Sequence, residues 1–295
     1  MNSNIYLLVS VSAFFWGANF VLGGYVLHDI DPLWAAAIRF LLGAAIMFAI
    51  AAWRKEPLFG LLRQHAGTYL MLGIIGTVAF NVFFFYALRY TSANDASLIM
   101  ATNPLVTTLL AIVILGERPT SRHLLALPIA LVGVTVVITQ GEISHLLNLQ
   151  FSIGDILMLA ADGFWALYNV LCRRYMPQAS PLANTTWIMA SGALVLFCIA
   201  LAGGTHLTAL GPKASAAITV MVIGGTVLAY LFWTTGIARL GAARTAIFLN
   251  LVPVFAMLLS TAIESPPTSA QVAGGLLVIF GVIVSMLPSR SVATA

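Results

Sequence analysis

Charge is what this 295-residue chain has least of: 13 Lys and Arg and 9 Asp and Glu make up 7% of it, where a soluble domain carries roughly a quarter. With 61% hydrophobic residues and a mean hydropathy of +1.01, there is too little polar surface to face water all round. That excludes a soluble globular protein and predicts an integral membrane protein. The few bases are scattered, forming no stripe, which argues against nucleic acid as a partner. Cysteine is scarce too. Cys172 lies toward the inner end of the sixth apolar run and Cys198 toward the outer end of the seventh, at opposite membrane faces and too far apart for a disulfide. No Walker A loop, GxSxG elbow or HExxH motif occurs. His28, His65, His123, His145 and His206 never stand two at metal-ligand spacing. No enzyme, cofactor or metal site is therefore expected.

What the chain does have is long apolar runs. Stretches of about 20 residues, enough to cross a hydrocarbon core about 30 Å thick, fall near 4–27, 32–53, 66–89, 94–116, 121–140, 153–175, 183–203, 214–238, 243–264 and 268–287. Little chain is left for a soluble domain. The first run lacks a basic n-region and a small-residue cleavage site and contains Trp16 and Asn19, so it reads as a retained span.

The second half repeats the first at an offset of about 149 residues. Phe15, Trp16 and Val21 return as Phe164, Trp165 and Val170, and Pro104 as Pro253. Pro119-Thr120-Ser121 returns as Pro267-Thr268-Ser269. Five spans per copy deliver the second copy upside down, which predicts an inverted repeat of residues 1–140 and 153–290, the build of a secondary transporter. With the amino terminus inside, the inner segments hold Arg54, Lys55, Arg63, Arg118, Arg122, Arg173, Arg174, Arg239, Arg244 and Arg290, and the outer ones only Arg89 and Lys213. By the positive-inside rule both termini are cytoplasmic. The fold expected is all-α: ten transmembrane helices in two inverted five-helix repeats.

The run FWGANFV, Arg39 in the second span and the stretch NPLVTTLLAIVILGERPTSRHLLALPIALVGV at 103–135, with its weaker echo from Asn250 to Val282, resemble the drug/metabolite transporter superfamily, specifically its EamA-type ten-helix permeases. The likeness covers the whole chain. One departure is the ninth span's ending, AIES, which keeps Glu264 but loses the family's usual Gly; it bears on the local loop geometry. The resemblance implies a permease, commonly an exporter of amino acids, aromatic metabolites or other small organic molecules, with a central cavity from which helices 5 and 10 stand apart. It also places the protein in a bacterial cytoplasmic membrane.

A polar path through lipid needs polar groups and broken backbone at mid-depth. Pro104 and Pro253 lie about ten residues into their spans, about 15 Å deep. Each is either a hinge that frees the carbonyl four residues back, at Met100 and Leu249 beside Asn103 and Asn250, or a packing kink. Trp16 and Asn19 share one helical face, as do Asp162, Trp165 and Asn169. With Asn81, Tyr230 and Trp233 they are candidates either for a cavity wall that takes a planar or amphipathic organic substrate, or for helix contacts. Arg39 and Asp162 are charges inside the membrane, at similar depth. Asp162 is read as a contact to a cationic substrate group or a proton carrier with Arg39 its structural partner, or else as half of a static ion pair with Arg39. Ala126, Ala130 and Gly133, with Ala273, Gly274 and Gly281, permit close helix contact, either within the chain or in a homodimer through helices 5 and 10.

The expected function is a secondary-active or facilitative permease working by alternating access, without ATPase machinery, whose partners are a small-molecule substrate and the lipid bilayer. The rivals are an importer of sugar or nucleotide precursors and a lipid scramblase or structural membrane protein. An intramembrane enzyme would need a reactive cluster at the bilayer surface, for which no His or acid pair is present.

Overall fold

A computed structural model of the chain describes residues 3–87, 90, 99–142, 144, 152–204, 208–260 and 266–287. Arg89, His145, His206, Glu264 and Arg290, named above, lie outside these. The described residues form helices and turns, with no strand among them. In chain order the rods are α1 (Ser3–Leu27), α2 (Pro32–Trp53), α3 (Leu58–Ala87), α4 (Asn103–Leu115), α5 (Ser121–Thr139), α6 (Ile153–Tyr175), α7 (Pro181–Ala202), α8 (Pro212–Leu240), α9 (Ala242–Leu259) and α10 (Ser269–Met286). Eight of them are long and apolar enough to cross a membrane, and α1, bent by 41° between Asn19 and Val21, makes up to nine. The shorter α4 is apolar but below crossing length among the described residues, so ten full spans are not all present there. Large apolar side chains are exposed around the bundle, such as Leu109 at 63%, Val113 at 80% and Phe280 at 55%. In lipid that is a solvated surface; in water it would be an aggregation site.

The helix starts are written in the sequence. Asp31 accepts from Leu33 N before Pro32, and Ser180 from Ala183 N before Pro181. Each is a cap followed by proline at a first-turn position, where no N–H is needed. Thr120 and Thr268 cap α5 and α10 through His123 N and Gln271 N. These pairs of caps stand at the repeat offset.

Packing follows the same offset. Helix α1 packs on α8 and α9, and α6 on α3 and α4; α2 packs on α7 and α5 on α10. Gly43 of α2 abuts Thr226 of α8, and Gly192 of α7 abuts Thr77 of α3. Both threonines lie in π-helical stretches, Ile74–Ala79 in α3 and Met221–Leu228 in α8. Such widened turns are rare and gather at functional places. Within each, a glycine admits a side chain from the facing helix: Gly76 takes the Tyr168 ring and Gly225 the Asn19 amide.

The small-residue faces of α5 and α10 meet each other within the chain. A Cβ on Gly133 would stand 2.7 Å from Val278 N and 2.8 Å from Gly274 O, and one on Gly281 3.0 Å from Ala130 N. Those residues are thereby used up, and Ala273 faces outward. A homodimer through these helices would have to use their outward apolar side chains, such as Val132 and Leu276.

The prolines do not kink continuous helices. A turn at Ala101–Thr102 precedes Asn103, placing Pro104 in the first turn of α4. A 3₁₀ turn at Ile247–Asn250 precedes Pro253, which sits in the first turn of the α-helical part of α9. In a first turn the missing N–H removes few helical bonds, so the irregular backbone lies just before each proline.

Candidate functional site

A cavity of about 470 Å³ occupies the middle of the bundle. It runs from the tryptophans at mid-depth to the end where α1 and α5 finish and α2 and α10 begin; Gly24, Leu27, Ala35, Gln140 and Gln271 line that mouth. Its floor lies about 16 Å below Leu27, counting from Trp16 at the helical rise. Helices from both halves contribute: Trp16 and Asn19 of α1, Arg39 of α2, Phe80 and Asn81 of α3, Trp165 of α6, Tyr230 of α8, and Asn250 and Pro253 of α9.

The floor is aromatic. Trp16 packs against Trp165 at 5.4 Å between ring centroids, Tyr230 at 5.8 Å and Trp233 at 4.9 Å, and Trp165 meets Phe80 at 5.1 Å. The contacts of Trp16 with Trp165 and Tyr230 are edge-to-face and the other two tilted, arrangements that hold rings in fixed orientation. Trp16 Nε1 also donates to Gly225 O at 3.0 Å, in the π-helical stretch of α8 where no side chain intervenes. The helical periodicity of Trp16 with Asn19 on α1 is thus expressed as a shared wall.

Eight of the sequence candidates meet at this cavity: Trp16, Asn19, Arg39, Asn81, Trp165, Tyr230, Asn250 and Pro253. Asn103, Pro104, Asp162, Asn169 and Trp233 are not among its lining residues. Trp233 Nε1 donates to Asn169 Oδ1 at 2.8 Å, both fully buried behind the floor. Asn103 Nδ2 donates to Asp162 Oδ1 at 2.8 Å and to its backbone carbonyl at 3.0 Å. Thr102 Oγ1 approaches the other carboxylate oxygen at 3.5 Å, and Thr107 Oγ1 donates to Asn103 Oδ1 at 3.0 Å.

The ion pair expected between Arg39 and Asp162 is not formed. The reason is lateral, since the depths are similar. Helix α6 packs on α3 and α4, whereas α2 packs chiefly on α7, and α3 runs between. Arg39 Nη2 accordingly reaches Asn81 Oδ1 of α3 at 3.4 Å, while its Nε is buried without a partner. Asp162 is not among the residues that line the cavity in this conformation.

The opposite end of the bundle is closed. Arg173 Nη1 donates to Ala238 O at 2.6 Å and Arg174 Nη1 to Ile114 O at 2.8 Å, so α6 covers the ends of α8 and α4. His123, to which the sequence reading gave no role, is 1% exposed and joins α5 to α4 through Thr108 at 3.2 Å and to α10 through Ser285 at 3.1 Å. Its register with Leu127 and Ala130, four and seven residues on, was the available signal. Thr102, Gln140 and Gln271 were likewise missed, the glutamines because loop-proximal polar residues usually face water.

Apolar rods ringed by lipid-facing side chains, enclosing a cavity closed at one end and floored by side chains of both halves, define a polytopic membrane transporter. The family model described as "EamA-like transporter family" matches twice, at residues 3–139 and 152–287; the chain belongs to that family. The uncharacterized transporter YyaM of Bacillus subtilis is 39% identical over 282 residues, covering 95% of this chain and 92% of that one. A probable amino-acid metabolite efflux pump of Salmonella typhimurium is 27% identical over 294 residues, covering 95% and 94%. A solved crystal structure superposes with a TM-score of 0.82 at 22% identity over 99% of this chain and 100% of the other, a likeness of fold.

Proposed function

We propose that this transporter is a secondary permease of a bacterial cytoplasmic membrane that exports small organic metabolites, such as amino acids or aromatic compounds. It works by alternating access between two inverted five-helix repeats, residues 1–140 and 153–290, with both termini cytoplasmic. The observation that carries the reading is the cavity: about 470 Å³, the size of a small-molecule site, closed at one end and walled by equivalent residues of the two halves, Trp16 and Trp165. The exchanged packing of α1 on α8 and α9 and of α6 on α3 and α4 is what a pseudo-two-fold between inverted copies produces. On the positive-inside reading the mouth faces outward. The helix breaks before Pro104 and Pro253 serve as hinges. Asp162, held by Asn103 behind the floor, is the candidate proton carrier. Export rather than import is supported by the efflux pump among the relatives.

Counterflow in proteoliposomes tests this. Vesicles preloaded with an unlabelled amino acid or aromatic metabolite accumulate the same labelled compound through a permease. A correctly folded protein that exchanges no metabolite yet moves labelled lipid between leaflets contradicts it.

A further inference from the structure

Among the described residues that line the cavity, Arg39 is the one that carries a formal charge at neutral pH; no described Asp, Glu, Lys or His accompanies it there. Its Nη2 makes one long contact, 3.4 Å to the neutral amide of Asn81, and its Nε is buried with no partner. An arginine held in a lipid-embedded wall without a counter-charge is an expensive arrangement, because desolvation is not repaid by an opposite charge. A guanidinium presents a planar fork that matches a carboxylate in two parallel hydrogen bonds. Asn81 steadies the fork: its own Nδ2 donates to Thr77 O at 2.6 Å in the π-helical stretch of α3, fixing Oδ1 toward Arg39.

Asn250, which also lines the cavity, is 2% exposed and its Oδ1 has no partner, an acceptor for an N–H or O–H of the same guest. The same cavity is lined by Trp16, Trp165 and Tyr230, apolar faces suited to a ring or chain. We propose that Arg39 is the specificity-determining residue of this cavity and that its cargo is a small organic carboxylate with an aromatic or apolar body. The carboxylate supplies the counter-charge that the described lining lacks. This assigns recognition to the substrate's anion, with no carboxylate of the protein answering a substrate cation. It rests on the permease reading for its biological role, but as a binding statement it stands separately.

The test uses the full chain in lipid nanodiscs, with labelled phenylacetate displaced by phenylacetamide or phenethylamine, which share the ring but lack the carboxylate. A charge-assisted fork gives phenylacetate an advantage of about tenfold or more over phenylacetamide. In Arg39→Gln that advantage disappears while Arg39→Lys retains part of it. Thermal unfolding checks that the variants are folded, and the wild-type comparison decides on its own if they are not. Absence of phenylacetate binding, or equal displacement by phenylacetamide or phenethylamine, overturns the proposal. Counterflow of the same compounds separates the two readings. Exchange of phenethylamine but not phenylacetate leaves a permease without the carboxylate site, and selective phenylacetate binding without exchange of any compound leaves the site without the permease.

Discussion

Asp162 is held by neutral donors: Asn103 Nδ2 at 2.8 Å and, more weakly, Thr102 Oγ1. Asp162→Ala leaves the buried Asn103 amide without its acceptor side chain, an expected loss of about 1–3 kcal/mol in unfolding free energy. Asp162→Asn keeps an oxygen in place and is expected to retain most of that stability; calorimetry in detergent compares the two. If Asp162 also carries a proton, Asp162→Asn abolishes gradient-driven accumulation while counterflow persists, and an unchanged pH dependence removes that role. At this scale the sequence told much about identity and little about partners. Trp16 and Trp165 were legible because a tryptophan far from the interfacial belts, at the same place in two repeats, has few reasons to be there. The Arg39–Asp162 pair was misread because depth along a helix can be counted from the sequence, whereas the order of helices around the bundle cannot.

Contacts between whole helices give sharper expectations. Helices α5 and α10 approach backbone to backbone at Gly133 and Gly274, so Gly133→Leu must push them apart. Overpacking of that kind costs about 1–3 kcal/mol, and Val132→Leu, on the outward face next door, serves as the control that leaves melting unchanged. At the mouth end, the turn between α1 and α2 is tied to the one before α8: Gly211 N donates to Asp29 Oδ2 at 2.8 Å and the Thr208 hydroxyl to Asp29 O. The hydrogen bond from His28 and that from Gly211 N hold the Asp29 carboxyl below its ordinary 3.8. A lowered carboxyl value means the tie is present above 3.8 and is lost only as pH falls through the lowered value. Hydrogen exchange of the Gly211 amide is therefore expected to stay slow from neutral pH down to about 4, relative to the intrinsic rate, and to lose protection only below that. Helix ends were legible here because Asp31-Pro32 and Ser180-Pro181 are unambiguous starts. The π-helical stretches were not, since Ile74–Ala79 and Met221–Leu228 differ from ordinary apolar helix only in which carbonyl each N–H chooses.

For the molecule as a whole, the membrane setting was readable from composition and the family from the resemblance carried by FWGANFV, Arg39 and the run at 103–135, while the cavity was not readable, because it depends on which faces of eight helices happen to converge. The architecture makes a directional claim. Among the described residues the cavity reaches the end where α1 and α5 finish, and the other end is tied together by Arg173, Arg174 and the His123 bridge. A permease must also visit the reverse state, with the floor exposed to the sealed side. Leu249, half-buried on the cavity floor beside Asn250, is the place to ask. A Leu249→Cys variant, with Cys172 and Cys198 replaced, is reconstituted and treated with a membrane-impermeant thiol reagent from one face and then, in a separate sample, from the other. Alternating access predicts labelling from both faces, with substrate slowing it on each. Labelling from one face alone, with or without substrate, contradicts the account.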